Sequence, residues 1–190
     1  MSDRQLDDVA SRLRDSEIAV IPTDTTYAIV GDALNMKAIE RICNLKRINT
    51  EKTNLSVICS DISMASEYAR IEDKGFRLMK ECCPGPFTFL FRCASKLPRA
   101  FKGRKVVGIR IPSNEFDRQL AAALGNPVIT TSIEYDDEDY AVNPGLIAEN
   151  YEGKVDFMVE GEDGSTEVST IVDCTGPEPE IVRQGKGIIP

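Results

Sequence analysis

Short apolar runs of strand type alternate with helical segments along the whole chain, and this alternation most limits the folds open to it. "EIAVI", "YAIVGDAL", "NLSVICS", "PFTFLFRC", "KVVGIRI" and "PVITTSI" are β-branched or aromatic runs bounded by turn residues. Between most of them lie stretches whose apolar residues recur at helical spacing. A chain that switches period in this way builds a sheet with helices packed on it. No internal repeat is present, which sets solenoids aside. At 190 residues the chain suits one compact core. The expectation is therefore a single α/β domain over 1–190, with one large twisted mixed sheet flanked by helices.

The helix signals are specific. Ser2 can cap a first helix that carries Leu6, Val9, Ala10 and Leu13 on one face. Met36 to Leu45 presents Ile39, Ile42 and Cys43 together, with Lys37, Glu40 and Arg41 off that face. Asp61 or Ser63 can cap "ISMASEYARI", Pro84 stops "DKGFRLMKECC", and Gly125 closes "NEFDRQLAAALG". A short helix is expected around Pro144 to Tyr151, followed by strands in "VDFMV", "VSTIVDC" and "PEIVRQG".

What is missing narrows the chemistry. The chain has no histidine, so Ser-His and Cys-His nucleophile pairs and imidazole metal ligands are excluded. Its six cysteines, Cys43, Cys59, Cys82, Cys83, Cys93 and Cys174, are irregularly spaced without a C-x-x-C pair, and read as small buried hydrophobes kept reduced. A net charge of −8 opposes broad electrostatic binding of nucleic acid, while leaving local patches open. No apolar run approaches the ~20 residues that span a bilayer, and the N-terminal segment is charged, so a cytoplasmic protein without membrane contact is expected.

Hydroxyl and cationic side chains gather where the expected strands end. They are Thr23, Asp24, Thr25 and Thr26; Arg110; Thr130, Thr131 and Ser132; Ser169 and Thr170; and Arg183 and Lys186. Ligands of open α/β sheets bind where strand ends converge, so this distribution suggests one cleft suited to an anion. Each residue alone has an ordinary explanation as a local backbone partner or a solvated cation. Neither a Walker loop nor a G-x-G-x-x-G is present. Lys96, Arg99, Lys102, Arg104 and Lys105 form a basic cluster, readable as a solvated loop or as an RNA or phosphate patch. Glu134 to Tyr140 holds five carboxylates in seven residues, readable as a solvated loop, a magnesium-attracting loop or an anion-repelling lid.

"PTDTTYAI" resembles the P-T-[DE]-T-x-Y-G-[LI] signature of the YrdC-like domain, the threonylcarbamoyl-AMP synthase family. "PGPFTFLF", "VGIRIPSN", "ITTSI", "STIVDCTG" and "IVRQGKG" follow in family order, from about Pro22 to about Gly187. The resemblance implies one twisted α/β domain around a concave, positively lined cavity. It also implies synthesis of threonylcarbamoyl-AMP and pyrophosphate from L-threonine, bicarbonate and ATP, for transfer by partner proteins to an adenosine of tRNA. Carried over by position, Thr25, Arg110, Ser132 and Ser169 would bind threonine, while Lys46, Lys52 and Arg183 would bind nucleotide. Mg²⁺ would arrive with ATP rather than on protein ligands. No residue is assigned a covalent catalytic role, because a carbamate attacking an α-phosphate needs alignment and charge neutralisation more than a protein nucleophile.

The chain also departs from the pattern. In "KRINTEK", Ile48 stands where K-x-R-x-x-x-K has its second cation, with Arg47 one position away. In "TSIE", Glu134 replaces the amide of T-S-A-N, and a carboxylate there would repel ATP unless a metal intervenes or the loop turns away. These features look more like the YciO-like branch, for which binding of tRNA, double-stranded RNA or nucleotide without catalysis is the alternative expectation.

Overall fold

The computed structural model describes residues 2–190. In chain order the elements are α1 (Asp3–Arg14), β1 (Ala19–Ile21), β2 (Ala28–Asp32), α2 (Met36–Lys46), β3 (Leu55–Ile58), α3 (Ile62–Tyr68), β4 (Ala69–Arg70), α4 (Asp73–Cys82) and β5 (Phe87–Cys93). They continue as β6 (Val106–Arg110), α5 (Glu115–Leu124), β7 (Val128–Ser132), α6 (Asp139–Val142), α7 (Pro144–Tyr151), β8 (Phe157–Met158), β9 (Thr170–Asp173) and β10 (Glu180–Arg183). Among the described residues all ten strands join one sheet, in the order β10-β9-β5-β6-β3-β7-β2-β1-β8, with β4 beside β5. The sheet is mixed: β3 with β6, β5 with β9 and β1 with β8 are parallel, and the other pairs are antiparallel.

Helix ends follow their local chemistry. Ser2 and Gln5 close a capping box on α1, Asn35 caps α2 through Ala38, and Asp61 rather than Ser63 caps α3 through Met64. Gly125 ends α5 at φ 83°, a left-handed turn that costs glycine little. Arg47 ends α2 in the same region at φ 53°, where a side chain adds strain.

Strand alternation decides what each sheet face carries. On one face Ile18, Val20, Ile29, Val57, Phe89, Phe91, Val107, Ile109, Ile129 and Val172 are buried beneath α2 and α4. Each such residue contributes roughly 1.5–3 kcal/mol through burial. On the opposite face Ala19, Ile21, Ala28, Val30, Ile58 and Val128 pack under α1 and α5, through Val9, Ala10, Leu13, Leu120, Ala121 and Leu124. That apolar cover ends beyond Ile58 and Val128, and the same face continues across β7, β3, β6 and β5 with polar residues.

Some local expectations needed adjustment. "VDFMV" yields only the two-residue β8, and the acidic stretch is a loop as expected up to Glu138, its last two residues, Asp139 and Tyr140, opening the single turn α6. The basic loop contains a one-turn 3₁₀ helix, Arg99–Lys102, anchored by buried Phe101. Among the described residues no helix is long and apolar enough to cross a membrane.

Candidate active site

The polar part of the second sheet face is the floor of a recess. Register places Ser56 opposite both Gly108 and Thr130, with Arg110 beside Ile58 one step further along. Thr88 lies on the same face, and Ile171 is its partner on β9. Gly108 is required here by close approach. A Cβ on it would lie 2.3 Å from Ser56 Oγ and 2.9 Å from Thr88 Cγ2.

The turn between β1 and β2 stands beside this recess and is tied to it through Arg110. Thr23 Oγ1 accepts from the Thr25 amide at 3.1 Å and donates to the Thr26 carbonyl at 2.6 Å, which holds the turn closed. Asp24 and Thr25 then meet the end of β6: Arg110 Nη2 donates to Asp24 Oδ1 at 2.7 Å and to Thr25 Oγ1 at 3.1 Å. Asp24 Oδ2 accepts from the Ser113 amide and hydroxyl at 2.8 and 3.1 Å. Lys186 Nζ donates to the Asp24 carbonyl at 2.9 Å, tying the C-terminal segment to the same turn.

The second cation comes from β10. Arg183 donates through Nε and Nη2 to the Ser169 carbonyl at 3.1 and 2.7 Å, and through Nη2 to Ser169 Oγ at 3.1 Å. Ser169 Oγ also shares a 2.7 Å hydrogen bond with Thr88 Oγ1. Burial and then the nearby Arg110 charge hold the Arg183 guanidinium below its usual range. Like charges therefore share the site, with Asp24 already committed to one of them.

Ile48, Asn54, Ser56, Thr88, Thr130, Ser132, Ile171 and both arginines line a cavity of about 170 Å³. Arg110 Nε, Thr130 Oγ1 and Asn54 Oδ1 are buried there without hydrogen-bond partners among the described residues. Buried polar atoms left unpaired are costly, and a ligand that pairs with them recovers that cost.

A second groove of about 650 Å³ is lined by Lys46, Arg47, Glu134, Asp136, Tyr151 and Lys154 among others. The two spaces adjoin at Ser132, whose carbonyl accepts from Lys46 Nζ at 2.7 Å. Glu134 is exposed and points at Lys46, with Oε1 at 3.5 Å from Nζ, while its backbone amide is pinned by Tyr151 at 2.8 Å.

Of the residues that resemblance singles out, Arg110, Ser132, Ser169 and Arg183 line one recess, and Thr25 bonds directly to Arg110. Lys46 stands at the junction of the two spaces. Lys52 is exposed and lines neither; its carbonyl accepts from Arg104 at 2.7 Å. Thr88, Ser56, Gly108 and Asn54 also line or floor the recess but are not among the residues that the strand ends or the resemblance point to. A signal existed for three of them: in "FTF", "LSV" and "VGI" a single small residue sits between two large apolar ones, at the parity opposite to the core.

All six thiols are free, and burial pushes Cys83 up to about 12 and Cys93 and Cys174 up to about 11. Such thiols are poor nucleophiles near neutral pH. The arrangement can bind, orient and neutralise an anion without a covalent intermediate.

Comparison with known proteins agrees with this fold. YciO of Escherichia coli, an uncharacterised protein, is 31% identical over 187 residues, covering 97% of this chain and 90% of that one. The crystal structure of E. coli YciO superposes with a TM-score of 0.90, covering 99% of this chain and 92% of that one. The threonylcarbamoyl-AMP synthase of Bacillus subtilis is more distant at 27% identity, and the match covers 97% of this chain but 54% of that protein. Pyrococcus abyssi Sua5, solved with L-threonine, shares the fold at a TM-score of 0.87 and 23% identity, covering 97% of this chain and 55% of that one. The sequence profile of the Sua5/YciO/YrdC family, described as "Telomere recombination", matches residues 11–185, and the chain belongs to that family.

Proposed function

We propose that the recess binds the carboxylate and hydroxyl of L-threonine, and that the protein forms an adenylate from the carbamate of that amino acid. The observation that carries this reading is the charge balance: Arg110 and Arg183 face one recess, and among the described residues the one ion pair either makes is that of Arg110 with Asp24. Buried hydroxyls of Thr25, Thr130 and Ser169 surround the pair. At about 170 Å³ the space is smaller than the ~300–1,000 Å³ of pockets for larger ligands, so it suits an amino acid rather than a nucleotide. The Pyrococcus relative with bound L-threonine supports the same assignment.

In this reading bicarbonate and the threonine amine form a carbamate with loss of water. A carbamate oxygen then forms a bond to the α-phosphorus of ATP while the bond to the β-phosphate oxygen breaks, and pyrophosphate leaves. Arg110 orients the carboxylate, Ser132 and Ser169 lie along the amino acid, and Arg183 and Lys46 offer cations to the phosphates, whereas Lys52, exposed and outside both spaces, is left out of this arrangement. Mg²⁺ carried by ATP supplies the remaining charge neutralisation. The adenylate would pass to partner proteins that modify tRNA.

Direct binding of double-stranded RNA has no comparable support. Lys96 pairs with Glu67, Lys102 donates to the Ser95 carbonyl and Arg104 to the Lys52 carbonyl, which leaves the basic loop partly engaged. Incubation with ATP, Mg²⁺, L-threonine and isotopically labelled bicarbonate tests the proposal. A labelled threonylcarbamoyl adenylate is expected by mass spectrometry; unlabelled AMP derivatives alone would refute it.

A further inference from the structure

The helix that follows β6 carries a buried carboxyl that nothing else in the site uses. Asp117, in the first turn of α5, is fully buried at 0% exposure, and neither of its oxygens has a hydrogen-bond partner among the described residues. Few acids are left in this condition, because an unpaired ionised carboxylate in an apolar setting costs far more than its neutral form. Arg118, its neighbour in sequence, is turned away and donates to the Pro112 and Ser113 carbonyls at 2.6 and 3.0 Å. Arg110 is on the sheet face that α5 covers, and its Nε is also buried and unpaired. An unpaired donor and an unpaired acid are therefore buried on the same side of the sheet, without a hydrogen bond to each other.

We propose that Asp117 is a positioning residue for Arg110: while it keeps its proton it leaves the Nε edge of the guanidinium uncommitted, and when it loses the proton it takes that edge. With the edge taken, Arg110 carries two protein carboxylates, Asp24 and Asp117, and has no net charge left for an incoming one. Anion capture at the recess is thus linked to the protonation of a buried residue on α5.

The charged groups around Asp117 are few. They are Arg110 from β6, Asp24 from the β1–β2 turn and Arg118 on α5 itself. Burial and the Asp24 charge favour the neutral acid, and the two arginines oppose it, with burial dominant. From α1, β3 and β7, which also pack on α5, the contributions are Val9, Ala10, Leu13, Ile58 and Val128, none of them titratable. A change of pH at this spot therefore acts chiefly through Asp117.

This inference rests on the reading that Arg110 receives the carboxylate of L-threonine, and the test separates the two. Calorimetric titration of the full chain with L-threonine over a pH series that starts in the ordinary carboxylate range and runs upward should show affinity falling in the wild type relative to Asp117→Asn, approaching tenfold per pH unit once the acid ionises. Identical pH profiles in the two proteins would overturn the proposal while leaving L-threonine binding intact. If L-threonine fails to bind the wild type at any pH, the functional reading falls, and carboxyl ¹³C NMR of the free protein decides the inference by itself. A signal lost in Asp117→Asn that titrates above the ordinary carboxylate range, and shifts when Arg110 is replaced by lysine, supports it; a signal that titrates within the ordinary range overturns it.

Discussion

Arg110 Nη2 lies 2.7 Å from Asp24 Oδ1 across 86 residues of sequence, with only 8% and 5% of the two side chains exposed. The pair fixes the turn between β1 and β2 against the end of β6, and so defines one corner of the recess. A buried pair of this kind contributes little net stability when intact, but removing one member strands the other charge. Asp24→Ala is accordingly expected to destabilise the fold by about 3–5 kcal/mol, measured by urea denaturation. A loss below about 1 kcal/mol would mean that water reaches the guanidinium freely, as it does at exposed pairs.

Gly108 is expected to tolerate no side chain. Gly108→Ala brings a methyl against Ser56 and Thr88 at the recess floor, and overpacking of this sort costs about 1–3 kcal/mol. Thermal unfolding should register that loss. L-threonine binding should weaken more than stability does, since the methyl enters the space the ligand needs.

Stability should depend on pH in a direction set by Asp117. Burial holds this carboxyl well above the usual carboxylate range in the folded state, so the folded protein keeps a proton that the unfolded chain releases. The contribution is present below the ordinary carboxylate pKa and is lost as pH rises toward the folded value. Relative to wild type, Asp117→Asn should gain up to about 1.4 kcal/mol per pH unit over that window. Unfolding free energies of the two proteins at pH 5 to 8 test this, and parallel curves would count against a neutral Asp117.

If the proposed function holds, Glu134 should weaken nucleotide binding without abolishing it. Its carboxylate is 67% exposed and stands 3.5 Å from Lys46 Nζ, so it offsets a cation at the junction of recess and groove. Glu134→Asn should tighten ATP binding by about 2–5-fold at low salt, as measured by equilibrium binding, with the gain shrinking at high ionic strength. Weaker binding in the variant would instead assign Glu134 a supporting role.

Much of this architecture could be read from short-range pattern. The apolar periods of "EIAVI", "PFTFLFRC" and "NEFDRQLAAALG" gave the strands and helices that form, because each segment must bury one face whatever its neighbours do. The recess was harder to read. Thr25, Arg110, Ser132, Ser169 and Arg183 were visible as polar residues at strand ends, but which cation meets which carboxylate depends on register between strands far apart in sequence. The commitment of Arg110 to Asp24 is of that kind. So is the state of Asp117, which in sequence is an ordinary acid in a first helical turn and becomes unusual only when α5 closes over β6. Lys52 shows the converse, since its place in a motif could not reveal that its side chain faces solvent.

The central question is whether the recess serves chemistry on an amino acid. The most direct measurement is pyrophosphate release from ATP and Mg²⁺ with L-threonine and bicarbonate each present or omitted, for the wild type and for Arg110→Ala. Release above background only when both co-substrates are present, and lost in Arg110→Ala, is the predicted result. No release with any amino acid, or release indifferent to bicarbonate and to Arg110, would contradict it.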